Sequence, residues 1–201
     1  MKKEFTINGV PFTMVFVEGG TFNLCNKFRA ALPDYYIGET LVTQELWKAV
    51  MDCNPSYHIG NEKRPVENIS PESCKKFVDK LSKLTGEKFR IPSEAEWEYA
   101  VKCGDKSCMH STIRKIAWSI FDKIKAPRAV KQKCPNVLGI YDLLGNVWEI
   151  CLNYFGNNED YMARGGSFQS KLDYELLTGM YHRCMICPMT TDTTIGFRLA
   201  L

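Results

Sequence analysis

Two carboxylates in the stretch from residue 139 to residue 150, GIYDLLGNVWEI, flank a tight turn at a spacing that suits metal ligands. Asp142 precedes the dipeptide Gly145-Asn146 and Glu149 follows it, so the two side chains and the carbonyls of the turn can converge on one point. An irregular set of oxygens suits a hard cation, and Ca²⁺ accepts it more readily than Mg²⁺ does. The stretch therefore predicts either a calcium site or a structural turn in which Asp142 makes an Asx-type hydrogen bond and Glu149 pairs with an arginine.

A second group with chemical potential is the C-x-x-C pair of Cys184 and Cys187 in the sequence RCMIC. Such a pair binds metal or cycles between thiol and disulfide, and His182 before it offers a base or a further ligand. The signal for a reactive thiol is weak, because no helix pattern follows Cys184 and Pro188 comes directly after the pair. Redox or metal chemistry here stays an alternative, and so does a zinc site that joins the pair with Cys103 and Cys108.

The elements that position these residues belong to a chain of 201 residues with 45% hydrophobic content, enough for one substantial core. We expect one domain over residues 1–201. The net charge of +3 is too small to indicate nucleic acid as a partner. No stretch is nonpolar enough to span a bilayer or to form a signal-peptide core, and the nine cysteines fit no disulfide framework. We therefore expect a cytoplasmic protein, or a secreted one if a leader has been removed. We expect it to bind a protein or a small molecule, without a nucleic-acid or membrane partner.

One segment is locally basic. Between Arg114 and Lys133 the chain holds seven lysines and arginines against the single acidic residue Asp122. The segment either meets an acidic partner or forms a solvated basic loop, and composition alone favours the loop.

Strands are predicted at both ends of the chain. Residues 5–22 alternate around Asn8-Gly9, a dipeptide typical of a type I′ hairpin turn, and residues 35–39 form a further short strand. Residues 161–168 and the final IGFRLAL also have strand patterns, and we expect the last strand beside the N-terminal hairpin.

Two helices are predicted in the first half. The hydroxyl of Thr43 caps the first, which we expect to end at residues 54–55, Asn-Pro. Ser70 caps the second and Gly86 ends it, with a nonpolar stripe that includes Cys74 as a core residue.

A third helix begins with a capping box of Ser93 and Glu96 and is expected to stop at Gly104. Glu94, Glu96 and Glu98 resemble an acid–base set, but the helix dipole alone explains acidic residues in a first turn. Three short helices with strands at both ends indicate an α+β domain with much irregular structure.

Read in order, the motifs resemble the formylglycine-generating enzyme domain, also called the sulfatase-modifying factor domain. They are GGTF, ETLVTQELWKAVM, NPS, RPVENIS, FRIPSEAEWEYA, NVLGIYDLLGNVWEI, RGGSF and GFRL. The resemblance implies a C-type-lectin-like fold with little regular secondary structure. It also implies a calcium site with Asp142 and Glu149 as side-chain ligands and Gly145 and Val147 as carbonyl ligands, Asp142 standing where the family has asparagine.

The resemblance also locates a chemical difference. Family enzymes oxidise a cysteine of sulfatases to formylglycine, using molecular oxygen and a copper ion held by two cysteines just past the RGGS motif. In this chain those positions are Ser170 and Glu175, neither of which binds Cu(I) as a thiolate does. We therefore expect no copper.

Three functions follow as hypotheses. The first is a non-catalytic module that binds a ligand or a protein through exposed side chains after the RGGSF motif, with these candidates: Ser170, Asp173, Tyr174, Glu175, Met180, Tyr181 and His182. The second is a formylglycine-generating oxidase that uses Cys184 and Cys187 as an unconventional thiol pair. The third is a retroelement-diversified receptor, since such variable proteins share this fold. Adenine replacement in asparagine codons yields no lysine, glutamate or methionine, so several residues here count against heavy diversification: Lys171, Glu175, Met180, Met185 and Met189.

Overall fold

The computed structural model describes residues 1–103, 113–154, 160–171 and 183–201. In this structure the N-terminal hairpin forms as the sequence predicted. Strand β1 (Lys2–Ile7) pairs antiparallel with β2 (Val10–Val17). Asn8 and Gly9 between them have φ of 48° and 83°, the left-handed values that a type I′ turn requires.

A second hairpin follows that the sequence did not reveal. Strand β3 (Gly20–Leu24) pairs with β4 (Phe28–Leu32), and Cys25 and Asn26 at the turn have positive φ. Asn26 is a typical turn residue but Cys25 is not, so the turn chemistry gave only a weak signal.

The chain end joins the N-terminal sheet. Strand β5 (Tyr35–Gly38) pairs with β2, giving the order β1-β2-β5. The main chain of Gly38 donates to Leu199, and Leu201 donates to Tyr36. The final residues therefore lie beside β5, the third strand of the sheet built on the hairpin.

The two predicted helices of the first half are α1 (Gln44–Met51) and α2 (Pro71–Thr85). The Thr43 hydroxyl accepts from the Leu46 amide at the start of α1, as expected. Helix α1 ends earlier than predicted, because Asp52 adopts the left-handed conformation that closes the last turn. Helix α2 begins after its N-cap, Ser70, and ends at Gly86, as predicted. Cys74 is fully buried.

The third helix, α3 (Glu94–Val101), begins with the predicted reciprocal hydrogen bonds between Ser93 and Glu96. All but one of its eight residues are buried, including all three glutamates. Its expected stop, Gly104, lies outside the described residues. A short helix buried on nearly every side must neutralise its acidic side chains inside the protein.

A four-stranded sheet completes the fold. It consists of β6 (Trp148–Leu152), β7 (Tyr161–Arg164), β8 (Arg183–Ile186) and β9 (Ile195–Phe197), in the order β8-β7-β6-β9. Only β6 and β9 run parallel. Strand β7 is shorter than the predicted segment, because Gly165 and Gly166 leave the sheet with left-handed φ.

Two nonpolar clusters hold these parts together. Helices α1 and α2 pack on the sheet through aromatic rings. Trp47 stacks on Phe77 with 4.9 Å between ring centroids, and Phe77 meets Phe197 edge-on at 5.5 Å. The other cluster surrounds Trp97 of α3 and includes Leu143 and Leu144. The mixed helix-and-sheet architecture confirms the predicted α+β class, and none of the helices in the described ranges has the length and nonpolar character to cross a bilayer.

Candidate functional site

The stretch from Asp142 to Glu149 forms a tight, buried turn. Asp142, Gly145 and Asn146 have φ of 54°, 74° and 59°. A Cβ at Gly145 would lie 2.2 Å from the Trp118 carbonyl oxygen, so only glycine fits there. The Asn146 amide donates to the same oxygen at 2.9 Å, which fixes the turn against the basic segment.

Glu149, fully buried, is held by Arg198 of the GFRL motif. The arginine Nε and Nη2 donate to its two carboxylate oxygens at 2.5 and 2.7 Å. Arg198 also donates to the carbonyls of Gly38 and Tyr141, which ties the last strand to the N-terminal sheet. This ion pair is the one that the structural-turn interpretation predicts.

Asp142 is also buried, but it has no side-chain cation as a direct partner in the part of the chain that the structure describes. Its oxygens accept from the Lys131 amide at 3.0 Å and from Asn146 Nδ2 at 3.4 Å. Burial raises the pKa of Asp142 above its ordinary value. Two buried carboxylates thus face one guanidinium, which leaves a negative charge that a bound cation would neutralise.

The donor chemistry of this turn fits calcium. No group of three histidine, cysteine, aspartate or glutamate side chains with metal-binding geometry occurs within the described ranges. An ion held by Asp142 and Glu149 would depend on the carbonyls of Gly145 and Val147 for further ligands, and it would share Glu149 with Arg198. The calcium site stays a prediction.

Ser170 closes the loop that follows the RGGSF motif. Its Oγ accepts from the Ser167 amide at 2.9 Å, and its own amide donates to the Ser167 carbonyl at 3.0 Å. Its carbonyl accepts from the Ile120 amide, which connects this loop to the basic segment. The oxygen at the first family copper position is therefore part of the loop structure.

The other predicted site residues after Ser170 lie outside the described residues, so their binding role stays a prediction. They are Asp173, Tyr174, Glu175, Met180, Tyr181 and His182. The alternative thiol pair is described. Cys184 lies on strand β8 opposite Ala163, and Cys187 follows the strand, with both thiols free and exposed.

An arginine network between α3 and the four-stranded sheet was not predicted. It consists of Glu94, Glu98, Arg164 and Arg183. Arg164, fully buried on β7, donates to Glu94 at 3.2 Å and to Glu98 at 2.6 Å. Arg183 on β8 donates to both oxygens of Glu94, at 3.0 and 2.5 Å.

The network corrects our explanation of the α3 glutamates. The helix dipole is not sufficient, since Glu94 and Glu98 are fully buried and Glu96 pairs with Arg90 at 2.5 Å. The available signal was the four-residue spacing of Glu94 and Glu98, which places both carboxylates on one helix face.

Cys25 lies at the edge of the network. Its Sγ is 3.5 Å from Glu98 and 3.8 Å from Arg164 Nη1. Burial and the neighbouring Glu98 raise the pKa of the Cys25 thiol, so the thiolate needed for nucleophilic chemistry is disfavoured.

The side chain of His58 is largely buried, with 14% of its surface exposed. Its amide donates to Glu67 Oε1 at 2.7 Å, its ring Nδ1 lies 3.3 Å from the same oxygen, and the ring packs edge-on against Phe168. Glu67 is fully buried, and its Oε2 has no hydrogen-bond partner among the residues described. Burial raises the pKa of Glu67.

Large nonpolar side chains are exposed in the segments beside the loop of residues 165–170. Tyr57 and Ile59, which flank His58, are 72% and 67% exposed, and Ile120 next to Ser170 is 45% exposed. Solvated aromatic and aliphatic side chains around one loop are typical of contact surfaces.

Comparison with known proteins agrees with the motifs. The chain is 28% identical to the chaperone protein LppX of Paenibacillus barcinonensis, with 80% of each protein aligned. It is 24% identical to the serine/threonine-protein kinase Pkn1 of Chlamydia trachomatis over 93% of this chain, but it covers only 38% of that kinase.

Two solved structures have the same fold. Variable protein 1 of Treponema denticola superimposes with a TM-score of 0.87 and 28% identity, covering 100% of this chain and 98% of that one. PvdO from Pseudomonas aeruginosa gives a TM-score of 0.80 at 19% identity, with 98% and 97% of the chains covered. Residues 5–201 match the sulfatase-modifying factor enzyme 1-like domain, so the chain belongs to this family, as its motifs predicted.

Proposed function

We propose that this chain is a non-catalytic module that binds a protein partner on the sulfatase-modifying factor scaffold. The observation that carries the proposal is the hydrogen bonding of the Ser170 side chain. At the position where the family resemblance expects a copper thiolate, a hydroxyl accepts a hydrogen bond from the Ser167 amide and closes its own loop. A neutral hydroxyl is a poor ligand for soft Cu(I).

The alternative thiol pair gives the enzyme hypothesis little support. Cys184 and Cys187 lie on and just after the edge strand β8, in an extended segment and not in the first turn of a helix, where reactive cysteines are often found. Three residues apart on an extended chain, their side chains favour opposite faces.

A protein partner is favoured over a small molecule by the surface around the loop of residues 165–170. The exposed side chains of Tyr57, Ile59 and Ile120 offer adaptable area to a macromolecule. The curated relative LppX is named a chaperone protein, and chaperones act by binding other proteins.

The test is an oxidase assay with a peptide that carries the C-x-P-x-R motif of sulfatases, with Cu(I) and molecular oxygen supplied. We expect neither aldehyde formation nor oxygen consumption above the protein-free control. A Ser170→Cys, Glu175→Cys variant provides the matched control, since it restores the thiol pair and should raise Cu(I) affinity. Turnover by the unmodified chain would overturn the proposal.

A second candidate is a variable receptor, favoured by the full-length likeness to the Treponema variable protein. Lys171 and the exposed Met185 and Met189 count against heavy diversification, because adenine replacement in asparagine codons does not produce them. Sequencing the coding region in many isolates separates the two candidates. Substitutions concentrated at adenines of one template-matched segment would establish the receptor, whereas scattered substitutions would eliminate it.

We also propose a structural calcium ion at the turn of residues 142–149. The buried charge of Asp142 supports this proposal, since its oxygens accept only uncharged donors within the described chain.

A further inference from the structure

An open cleft of about 570 Å³ lies beside the turn of residues 142–149 and is formed largely by the basic segment. Its described lining includes no carboxylate. Four cationic side chains and two aromatic rings lie along it, namely Arg114, Lys115, Lys131, Lys133, Trp118 and Tyr141. We call this the basic cleft.

Two of the lysines, Lys131 and Lys133, are held in position by carboxylates and aromatic rings. Lys133 Nζ donates to Asp122 and to the Arg114 carbonyl, both at 2.7 Å, and lies 4.2 Å from the centre of the Trp118 ring. Although burial acts to raise it, the hydrogen bond from Lys133 holds the pKa of Asp122 below its ordinary value. Lys131 pairs with Glu39 and lies 5.6 Å from the Tyr141 ring centre.

The other two cations have no carboxylate partner within the described ranges. Arg114 packs over Phe121 at 5.3 Å and Lys115 is solvated, and both side chains are exposed. The carboxylates of Asp122 and Glu39 do not neutralise the positive charge of the cleft, because Glu39 also pairs with Lys2 at 2.6 Å. The cleft therefore has an excess of positive charge. Cation–π contacts with aromatic rings hold some of the cationic side chains in place.

We propose that the basic cleft binds the carboxylates of an acidic segment in the partner protein. The inference rests on the proposed function, since it names the chemistry of that partner. The cations come from separate parts of the chain and line an open surface, which suits several carboxylates along a peptide. A phosphate site would instead need donors that converge on one point.

Backbone hydrogen bonds connect the cleft to the loop of residues 165–170. The Ile120 amide donates to the Ser170 carbonyl, and the Trp118 carbonyl accepts from Asn146 in the turn of residues 142–149. Ile120 is exposed and lies two residues from Trp118, so a partner that contacts Ile120 can also place an acidic segment near the basic cleft.

The test uses a ten-residue polyglutamate peptide as probe and isothermal titration calorimetry at low salt. The Arg114→Gln, Lys115→Gln variant removes the two cations without carboxylate partners, and we expect its affinity to fall about fivefold. The control is Lys75→Gln, Lys83→Gln, which removes the same charge from exposed positions of α2 that do not line the cleft. The control should bind as the wild type does.

Each outcome decides the inference. Equal losses in both variants would mean that net charge alone attracts the probe, and no binding by the wild type would mean that the cleft does not take carboxylates. Tighter binding of inorganic tripolyphosphate than of polyglutamate would assign the cleft to phosphate. These results would overturn the inference and leave the proposed function standing, because only peptide turnover in the oxidase assay contradicts that function.

Discussion

The arginine network and the basic cleft use charge in opposite ways. In the network, both carboxylates are fully buried, and each contacts Arg164, with Arg183 and Lys102 as second cations. In the cleft, two lysines have carboxylates beneath them, while Arg114 and Lys115 face solvent without one in the described chain.

This contrast separates the charges that stabilise the fold from those that are available to a partner. A buried carboxylate without a cation is very costly, so the network fixes the position of α3 against the sheet. An exposed cation in water costs little and keeps its capacity to attract an acidic ligand. The turn of residues 142–149 is intermediate, with two buried carboxylates and one guanidinium.

The largest effect is expected from breaking the network. Arg164→Met leaves Glu94 and Glu98 buried, each with one remaining cation among the described residues, Arg183 and Lys102, and should lower the free energy of unfolding by about 3–5 kcal/mol. Urea denaturation followed by circular dichroism measures the loss. Arg114→Met in the cleft is the matched control and should change the free energy by less than about 0.5 kcal/mol.

A further variant tests the stated cause. Adding Glu98→Gln to Arg164→Met removes one orphaned charge and should recover part of the lost stability. Equal losses from Arg164→Met and Arg114→Met would contradict the distinction between the two regions.

Calcium should have the next largest effect, because it would supply the positive charge that the turn lacks. At a free concentration about one hundred times its dissociation constant, a bound ion stabilises the fold by about 2.7 kcal/mol. The melting temperature should therefore rise from EDTA-treated to calcium-supplemented protein, and Asp142→Ala should abolish the rise. Identical melting curves with EDTA and with calcium would show that Arg198 alone satisfies the turn, as the alternative interpretation holds.

These regions differ in how far sequence could predict them. The hairpin at Asn8-Gly9 and the caps at Thr43, Ser70 and Ser93 were predictable, because each depends on residues adjacent in the chain. The family followed from the order of its motifs.

The arginine network was not predictable from local patterns. Arg164 lies 66 residues from Glu98 and 70 from Glu94, and no local pattern pairs residues at such separations. The same holds for Arg198, although the turn interpretation did expect an arginine opposite Glu149. The basic cleft was visible as a charged segment, but Glu39 and Tyr141, which position Lys131, come from other elements.

A smaller effect is expected at Glu67, a buried carboxylate that lies against the amide and the ring of His58. Because its pKa is raised in the folded chain, the folded state loses stability as pH rises through the ordinary value of 4.5 toward the raised one. Glu67→Gln should therefore raise the free energy of unfolding by about 1 kcal/mol at neutral pH, with no gain at acidic pH.

Denaturation of both proteins across a pH series measures this difference. His58→Gln separates the role of the ring from that of the carboxylate. A loss of stability in Glu67→Gln at neutral pH would mean that a charged His58 pairs with Glu67, and Glu67 would then belong with the paired carboxylates of the arginine network.

The smallest effect is expected from Lys131→Met in the basic cleft, because Lys131 is half exposed and Glu39 retains Lys2. The loss should be about 0.5 kcal/mol at neutral pH. Although burial acts to raise it, hydrogen bonds from Lys131 and Lys2 hold the pKa of Glu39 below its ordinary value of 4.5. The stabilisation is therefore present above pH 4.5 and disappears as pH falls through the lowered pKa, so the two unfolding curves should converge in acid. A loss as large as that of Arg164→Met, unchanged by pH, would make Lys131 part of the scaffold and remove it from the charge available to a partner.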